Sequence, residues 1–313
     1  MSYRLRRELV YLYQQIRNPI EQEAGATLVY VALVFPVLLG LAGLAIDGSN
    51  LHVQQLRVQT AADTAALAGA RAIALGQTTA GVGHEVNSLA TANGADSVTW
   101  NYIEEGSGVQ VQVTRTFATY FAKVIGYSTL TVQATAAAQI SAVGSIGNLL
   151  PMIIMCDDMD NDDDPGFTLG AVYTFWSNDM TAPGNFGWVD WDGTPVSENE
   201  LAESIAHPSN SGTWEIGDWI PAGPGVKAGS LVREALSIWL GKSVTIPLYD
   251  AVAGVGANAS YRICSFAEFV LQDYNFSGSN KWVRGIFVRT LKQGGSSGEV
   301  PPDFGVRSVR LVK

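Results

Sequence analysis

The feature that most constrains this chain is an uncharged apolar run over residues 26–46 (ATLVYVALVFPVLLGLAGLAI), bounded by Glu23 and Asp47. A helix rises about 1.5 Å per residue, so a run of this length covers the hydrocarbon core of a bilayer. Apolar side chains surround the whole helix, which argues against a buried core helix with one polar face. The run is also longer than the core of a typical secretory signal. We therefore predict a membrane-spanning helix.

The charges on either side of the run predict its orientation. Four arginines precede it, and the first basic residue after it is Arg57. The arginines before the run are Arg4, Arg6, Arg7 and Arg17. By the positive-inside rule, residues 1–25 are a cytoplasmic leader and the bulk of the chain is extracytoplasmic. The prediction is a single-pass protein of the cell membrane.

Composition sets limits on the remaining residues. The chain has 313 residues, is 47% hydrophobic and contains 8 Trp, so it can form real cores beyond the membrane helix. Its net charge is −10 and its sequence pI is about 4.7. Nucleic-acid binding needs clustered Lys and Arg, so that class of partner is excluded.

The pattern after residue 46 predicts an α+β fold in three parts. Residues 47–75 continue the membrane helix as an Ala-rich amphipathic helix. Residues 76–143 switch to alternating apolar and polar positions and predict a small ββαβ module resting on that helix. Residues 144–313 are rich in Trp, Pro and Gly and predict a mostly β domain with short helices.

An acidic run at the start of the last region has two interpretations. Asp158, Asp160 and Asp162 alternate like the first ligands of a calcium loop. Asp163 stands where such a loop needs Gly, and Leu169 stands where it needs a bidentate Glu. The run is therefore either a calcium site or a solvated acidic loop.

Two cysteines, Cys156 and Cys264, both fall on the predicted outer side of the membrane. Export permits a disulfide there, whereas buried free thiols are the alternative. Sequence alone leaves both open, because it does not show whether the Cα atoms are within bridging distance.

Sequence signals for catalysis are weak. The GxSxG match at 294–298 lies in a Gly-rich loop rather than at a strand-to-helix turn. His52, His84 and His207 have no paired ligand spacing. We predict a protein that is not an enzyme and has no cofactor, apart from the calcium alternative.

Aromatic residues of the last region support a second functional hypothesis. If exposed together they would stack on sugar rings and make a surface adhesin or glycan-binding filament subunit; if buried they are core residues. The set comprises Trp176, Phe186, Trp188, Trp191, Trp214 and Trp219.

The region from residue 25 to about 140 resembles TadE/TadG-like proteins of the Tad (tight adherence, Flp) pilus system. These proteins carry a Gly-Ala step, an apolar run with a central Pro, an Asp at the membrane exit, and an Ala-rich motif around a second Asp. The matching residues here are Gly25, Ala26, Pro36, Asp47, Ala61, Ala62, Asp63, Ala65, Ala66 and Leu67. TRTFATYFAKVIGYSTLTVQATAAA, at 114–138, also resembles the TadG type.

The resemblance implies a membrane-anchored component of pilus assembly, either minor pilin-like or anchoring. Its implied partners are the membrane and pilin or Tad inner-membrane proteins, with self-assembly as a further expectation. Prepilin-type cleavage would fall between Gly25 and Ala26, but Tyr30 stands where processed members usually carry Glu. The D-x-S-x-S metal motif of many TadG proteins has no counterpart here.

Overall fold

The computed structural model describes residues 3–103, 106–156, 167–176, 185–193, 197–225, 227–277, 281–296 and 304–312. The predicted calcium residues Asp158, Asp160 and Asp162 lie outside these ranges. The architecture is α+β: a long N-terminal helix with an apolar segment, then a mostly β region with a few short helices. The fold class predicted from the sequence is confirmed.

Helix α1, Tyr3–Ala74, is a single helix of 72 residues, about 108 Å long at 1.5 Å per residue. It runs through Pro19 and Pro36. Two residues after its end lies Gly76, whose φ of 73° is left-handed and whose N–H donates to the Ile73 carbonyl. Its segment Thr27–Ala74 is long and apolar enough to cross a membrane.

A first sheet packs on the second half of α1. Helix α2, Thr79–Ala92, is N-capped by Thr78. The sheet order is β1-β2-β3-β14-β12, with the short strands β7 and β13 also pairing with β3. The bounds are β1 Ser97–Ile103, β2 Gly108–Ala118, β3 Thr129–Gly147, β7 Thr213–Glu215, β12 Thr290–Leu291, β13 Gly295–Ser296 and β14 Val306–Val312.

The β2–β3 register explains why this sheet fits α1. Val109, Val111 and Val113 alternate with glutamines, so all three valines point to one face. Their partners across β3 are Ala138, Ala136 and Ala134, in that order. Small residues opposite the valines let the sheet lie close to the helix, and all six side chains are buried.

A second sheet forms the rest of the β region, in the order β4-β9-β10-β11-β5, with β8 on β10 and β6 on β8. Its strands are β4 Ile154–Met155, β5 Val172–Trp176, β6 Asn185–Val189, β8 Trp219–Pro224, β9 Ser243–Ala253, β10 Ser260–Asn275 and β11 Trp282–Val288. Helices α3, Glu198–Ala206, and α4, Ser230–Ser237, pack on each other. The core below them includes the stacked rings of Phe167 and Phe287.

The end of the chain returns to the first sheet. Strand β14 pairs antiparallel with β3, from Arg307 opposite Ala142 to Val312 opposite Ala137. The second sheet is therefore inserted between two neighbouring strands of the first. Both ends of the insertion are held by the sheet that packs on α1.

Cys156, just after β4, and Cys264, in β10, are paired as a disulfide, with Cα atoms 6.9 Å apart and a sequence separation of 108. The bridge joins the edge strand β4 to the central strand β10. We expect the exported chain to show no reaction with a thiol reagent until it is reduced, since the sequence contains no other cysteine. Intact-mass measurement with and without reductant checks this, and labelling of the unreduced, denatured chain would contradict it.

Candidate functional site where the apolar helix meets the first sheet

Residues 27–46 of α1 present apolar side chains around the helix. Leu28, Leu33, Leu38 and Leu44 are exposed by 71%, 67%, 56% and 69%. Such side chains are normally covered in a folded protein, and a lipid bilayer is the environment that accepts them around a whole helix. This segment fits the predicted membrane span.

A buried stripe begins near the end of that segment and continues along the helix. Gly43, Asp47, Gln54 and Val58 are buried, while the residues between them are mostly exposed. Their spacings of four, seven and four residues place them on one helix face. The face in contact with the rest of the protein therefore begins inside the predicted membrane run.

Asp47 is the most densely bonded side chain on this stripe. Its carboxylate accepts backbone hydrogen bonds from Tyr120, Phe121 and Ala122, at 2.8, 3.0 and 2.7 Å. These amides begin the short 3₁₀ helix Ala122–Ile125, which has no capping side chain of its own. Asp47 thus satisfies, from another element, the donors that a helix N-terminus leaves unpaired.

The electrostatics of this contact favour the ionised carboxylate. The backbone N–H of Tyr120, with those of Ala122 and Phe121 and the charge of Lys123, lowers the pKa of Asp47 below its ordinary value of 3.8. Partial burial acts in the opposite direction and is outweighed. Asp47 is therefore charged at neutral pH and holds this loop to the helix.

The held segment is a closed loop over residues 119–128. The Thr119 N–H bonds the Ser128 carbonyl at 3.1 Å, and the Thr119 hydroxyl donates to the Tyr127 carbonyl. Gly126 makes the turn with a left-handed φ of 99°. We call residues 119–128 the clamp loop.

Gly43 provides the second contact with the clamp loop. A Cβ placed on Gly43 would lie 2.7 Å from Cγ and 2.8 Å from Cβ of Phe121. Only glycine lets the ring lie this close to the helix backbone. Small residues on a membrane helix commonly admit a second helix at close range; at Gly43 the neighbour is a loop of the same chain.

The Ala-rich motif performs a packing role further along α1. Ala61, Ala62, Ala65 and Ala66 are fully buried under the first sheet. Asp63 lies between them, partly exposed, and its Oδ1 accepts a hydrogen bond from Gln59 Nε2 at 2.8 Å. The motif therefore attaches the helix to its own sheet, with Asp63 toward solvent.

The other residues singled out from the sequence are dispersed. Gly25 and Ala26 lie within α1. His52 is on α1, His84 is on α2 and His207 follows α3. Within the described ranges, no three His, Cys, Asp or Glu side chains are grouped as metal ligands.

The aromatic set does not form one exposed face in the part that the structure describes. Trp188 is fully buried and Trp219 is 45% exposed. Trp191 and Trp214 are partly buried, with ring centroids 6.0 Å apart, and Trp214 Nε1 donates to the Ser211 carbonyl. The side chains of Trp176 and Phe186 lie outside the description.

Asp190 is an unusual carboxylate that the sequence did not reveal. It is 4% exposed and borders an open cavity of about 260 Å³ shared with Asp192 and Glu200. Burial is the main cause that raises its pKa to about 6; the charges of Asp192 and Glu200 add to this, while the Asp192 N–H opposes it. Tertiary packing creates this environment, so no local motif could indicate it.

The raised pKa of Asp190 predicts a pH dependence of stability. The folded state binds the proton more tightly than the unfolded state, whose pKa is near 3.8. The free energy of unfolding should therefore fall as pH rises from about 4 to about 6, by on the order of 1 kcal/mol once solvent screening is allowed for. Asp190→Asn should remove this slope in urea unfolding at several pH values, while Asp218→Asn should retain it. An unchanged slope in Asp190→Asn would contradict the assignment.

Comparison with curated proteins and with solved structures finds no match to this chain. In a comparison with protein-family models, residues 25–72 match the Tad family, described as putative Flp pilus-assembly TadE/G-like. The matched segment contains the apolar run, Gly43, Asp47 and the Ala-rich motif, and the resemblance predicted from the sequence is confirmed over these residues.

Proposed function

We propose that this chain is a non-enzymatic, membrane-anchored component of Tad or Flp-type pilus assembly, acting as a minor pilin-like or anchoring protein. The observation that carries the proposal is the contrast between two segments of α1. The segment over residues 27–46 exposes apolar side chains around the helix, and the Ala-rich segment after residue 57 is held under the protein's own sheet. The family match covers the junction between them.

In this proposal the exposed apolar side chains of residues 28–46 contact lipid and the helices of pilin or Tad inner-membrane proteins. The four arginines before the run support a cytoplasmic N-terminus and an outer β region. The chain needs no cofactor for this role, because a rigid helix that carries a folded outer domain is sufficient for anchoring or capping.

A charge in the middle of the apolar run tests the proposal in the native host. We expect Leu38→Asp to remove the chain from the membrane fraction and to abolish surface pili, since Asp near a bilayer centre costs about 2.5–3.5 kcal/mol. The matched control is Leu231→Asp, in the first turn of α4, where the side chain is 44% exposed. Normal piliation with Leu38→Asp, or pilus loss with the control as well, would contradict the proposal.

The two forms of the proposal differ in the mature N-terminus and in location. A filament subunit is expected in sheared pili, with a chain that begins at Ala26. A permanent anchor is expected in the membrane, with its leader intact. Mass spectrometry of both fractions distinguishes the two forms.

A further inference from the structure

The clamp loop carries a dense group of exposed apolar side chains. Tyr120, Phe121, Val124, Ile125 and Tyr127 are exposed by 60%, 43%, 81%, 74% and 62%. Five large apolar residues within eight positions form a patch, whereas exposed apolar residues scattered singly need no explanation. No other residue in the described parts of the chain buries these five side chains.

The depth of the loop follows from its contacts with α1. Phe121 packs against Gly43, which lies three residues inside the end of the predicted membrane run at residue 46. Three residues correspond to about 4.5 Å along the helix axis. Asp47, the first residue beyond the run, accepts hydrogen bonds from the Phe121 and Ala122 amides of the loop. When α1 spans a bilayer, the clamp loop therefore lies at the level of the membrane surface.

The composition of the loop suits that level. Tyr and Phe favour the headgroup region, where an aromatic body and a polar tip are both accommodated. Lys123, also exposed, carries the cation that anionic headgroups attract. Val124 and Ile125, the two most exposed of the five, are apolar enough to enter the acyl boundary.

We propose that the clamp loop is a second, interfacial membrane contact, in which Tyr120, Val124, Ile125 and Tyr127 insert into the lipid surface beside the exit of α1. Two contacts, one transmembrane and one interfacial, restrict the tilt and rotation of the helix relative to the bilayer. The first sheet, which holds both ends of the loop through β2 and β3, is thereby oriented on the membrane. The inference rests on the membrane insertion included in the proposed function.

The occupant of this patch is identified by photocrosslinking from the full-length chain. A diazirine amino acid is placed at position 124, at position 38 in the apolar run, or at position 255. Position 255 is the control for position 124, because Val255 is also an exposed valine, at 69%, but lies in the loop between β9 and β10. Each chain is reconstituted at low density in vesicles of phosphatidylethanolamine and phosphatidylglycerol, irradiated and analysed by mass spectrometry.

Phospholipid adducts are expected at positions 38 and 124 in comparable yield, and no phospholipid adduct is expected at position 255. Lipid adducts at 38 without adducts at 124 would overturn the interfacial contact and leave the anchor intact. Adducts at 124 with a second copy of the chain would overturn it in favour of protein docking. Absence of lipid adducts at 38 would overturn both the anchor and the interfacial contact.

Discussion

Replacing Gly69 with valine is expected to destabilise the first sheet by about 3 kcal/mol, the upper end of the usual effect of overpacking. A Cβ on Gly69 would lie 2.7 Å from a methyl carbon of Val109 on β2 and 2.7 Å from one of Val86 on α2. Both valines are fully buried, so neither can move aside without disturbing a third element. Hydrogen exchange of the β2 amides in the detergent-solubilised chain measures the loss.

The matched control is the same substitution at Gly48. A Cβ there has no atom within 4 Å, and the position is exposed on the same helix. Gly48→Val is therefore expected to leave β2 exchange unchanged. Equal protection of β2 in both variants would show that α1, α2 and β2 do not meet as closely at Gly69 as described.

Replacing Asp47 with alanine is expected to release the clamp loop from the helix. Three backbone N–H groups lose a charged acceptor in one substitution, and the 3₁₀ helix Ala122–Ile125 loses its N-terminal cap. Amide exchange at 120–122 should accelerate strongly, while exchange in the more distant α4 should not change. Asp63→Ala, which removes the second Asp of the family-matched segment, should leave the clamp loop protected because Asp63 bonds only Gln59 in the described contacts.

The same contact predicts a dependence on pH. The folded pKa of Asp47 lies below the unfolded value of 3.8, so the stabilisation is complete above that value and is lost as pH falls through the folded pKa. Wild-type exchange at 120–122 should therefore approach that of Asp47→Ala only in acid. Loop protection that survives in Asp47→Ala at neutral pH would show that Gly43 and Phe121 alone hold the loop.

The local hydrophobic pattern was sufficient to predict the secondary structure of several elements. The apolar run, the Ala-rich continuation and the Val-Gln alternation of β2 each carry a period that specifies helix or strand without reference to distant residues. The predicted ββαβ module has a helix before its last strand, and the structure has only the 3₁₀ turn Ala122–Ile125 there. Asp47, more than seventy positions away, caps this turn through the amides of residues 120–122, and no local pattern indicates that contact.

The sequence patterns did not predict which strands or cysteines pair over long sequence distances. Strand β14 falls in the region predicted to be mostly β, but no property of its sequence indicates that its partner is β3 rather than the second sheet. The pairing of Cys156 with Cys264 likewise depends on how β4, β9 and β10 align. Asp190 has an ordinary sequence context, and its raised pKa comes from burial beside two other acidic residues.

By itself the sequence determined that one helix of this chain is apolar enough to span a bilayer and that the fold is α+β. It also determined that residues 25–72 carry Tad-family features. All three follow from hydrophobic periodicity and local motifs, which are properties of neighbouring residues. Only the tertiary structure decided what Gly43 and Asp47 do. Their partners lie in a loop more than seventy residues away, and contacts at that separation are set by the packing of the sheet on α1 rather than by local preference.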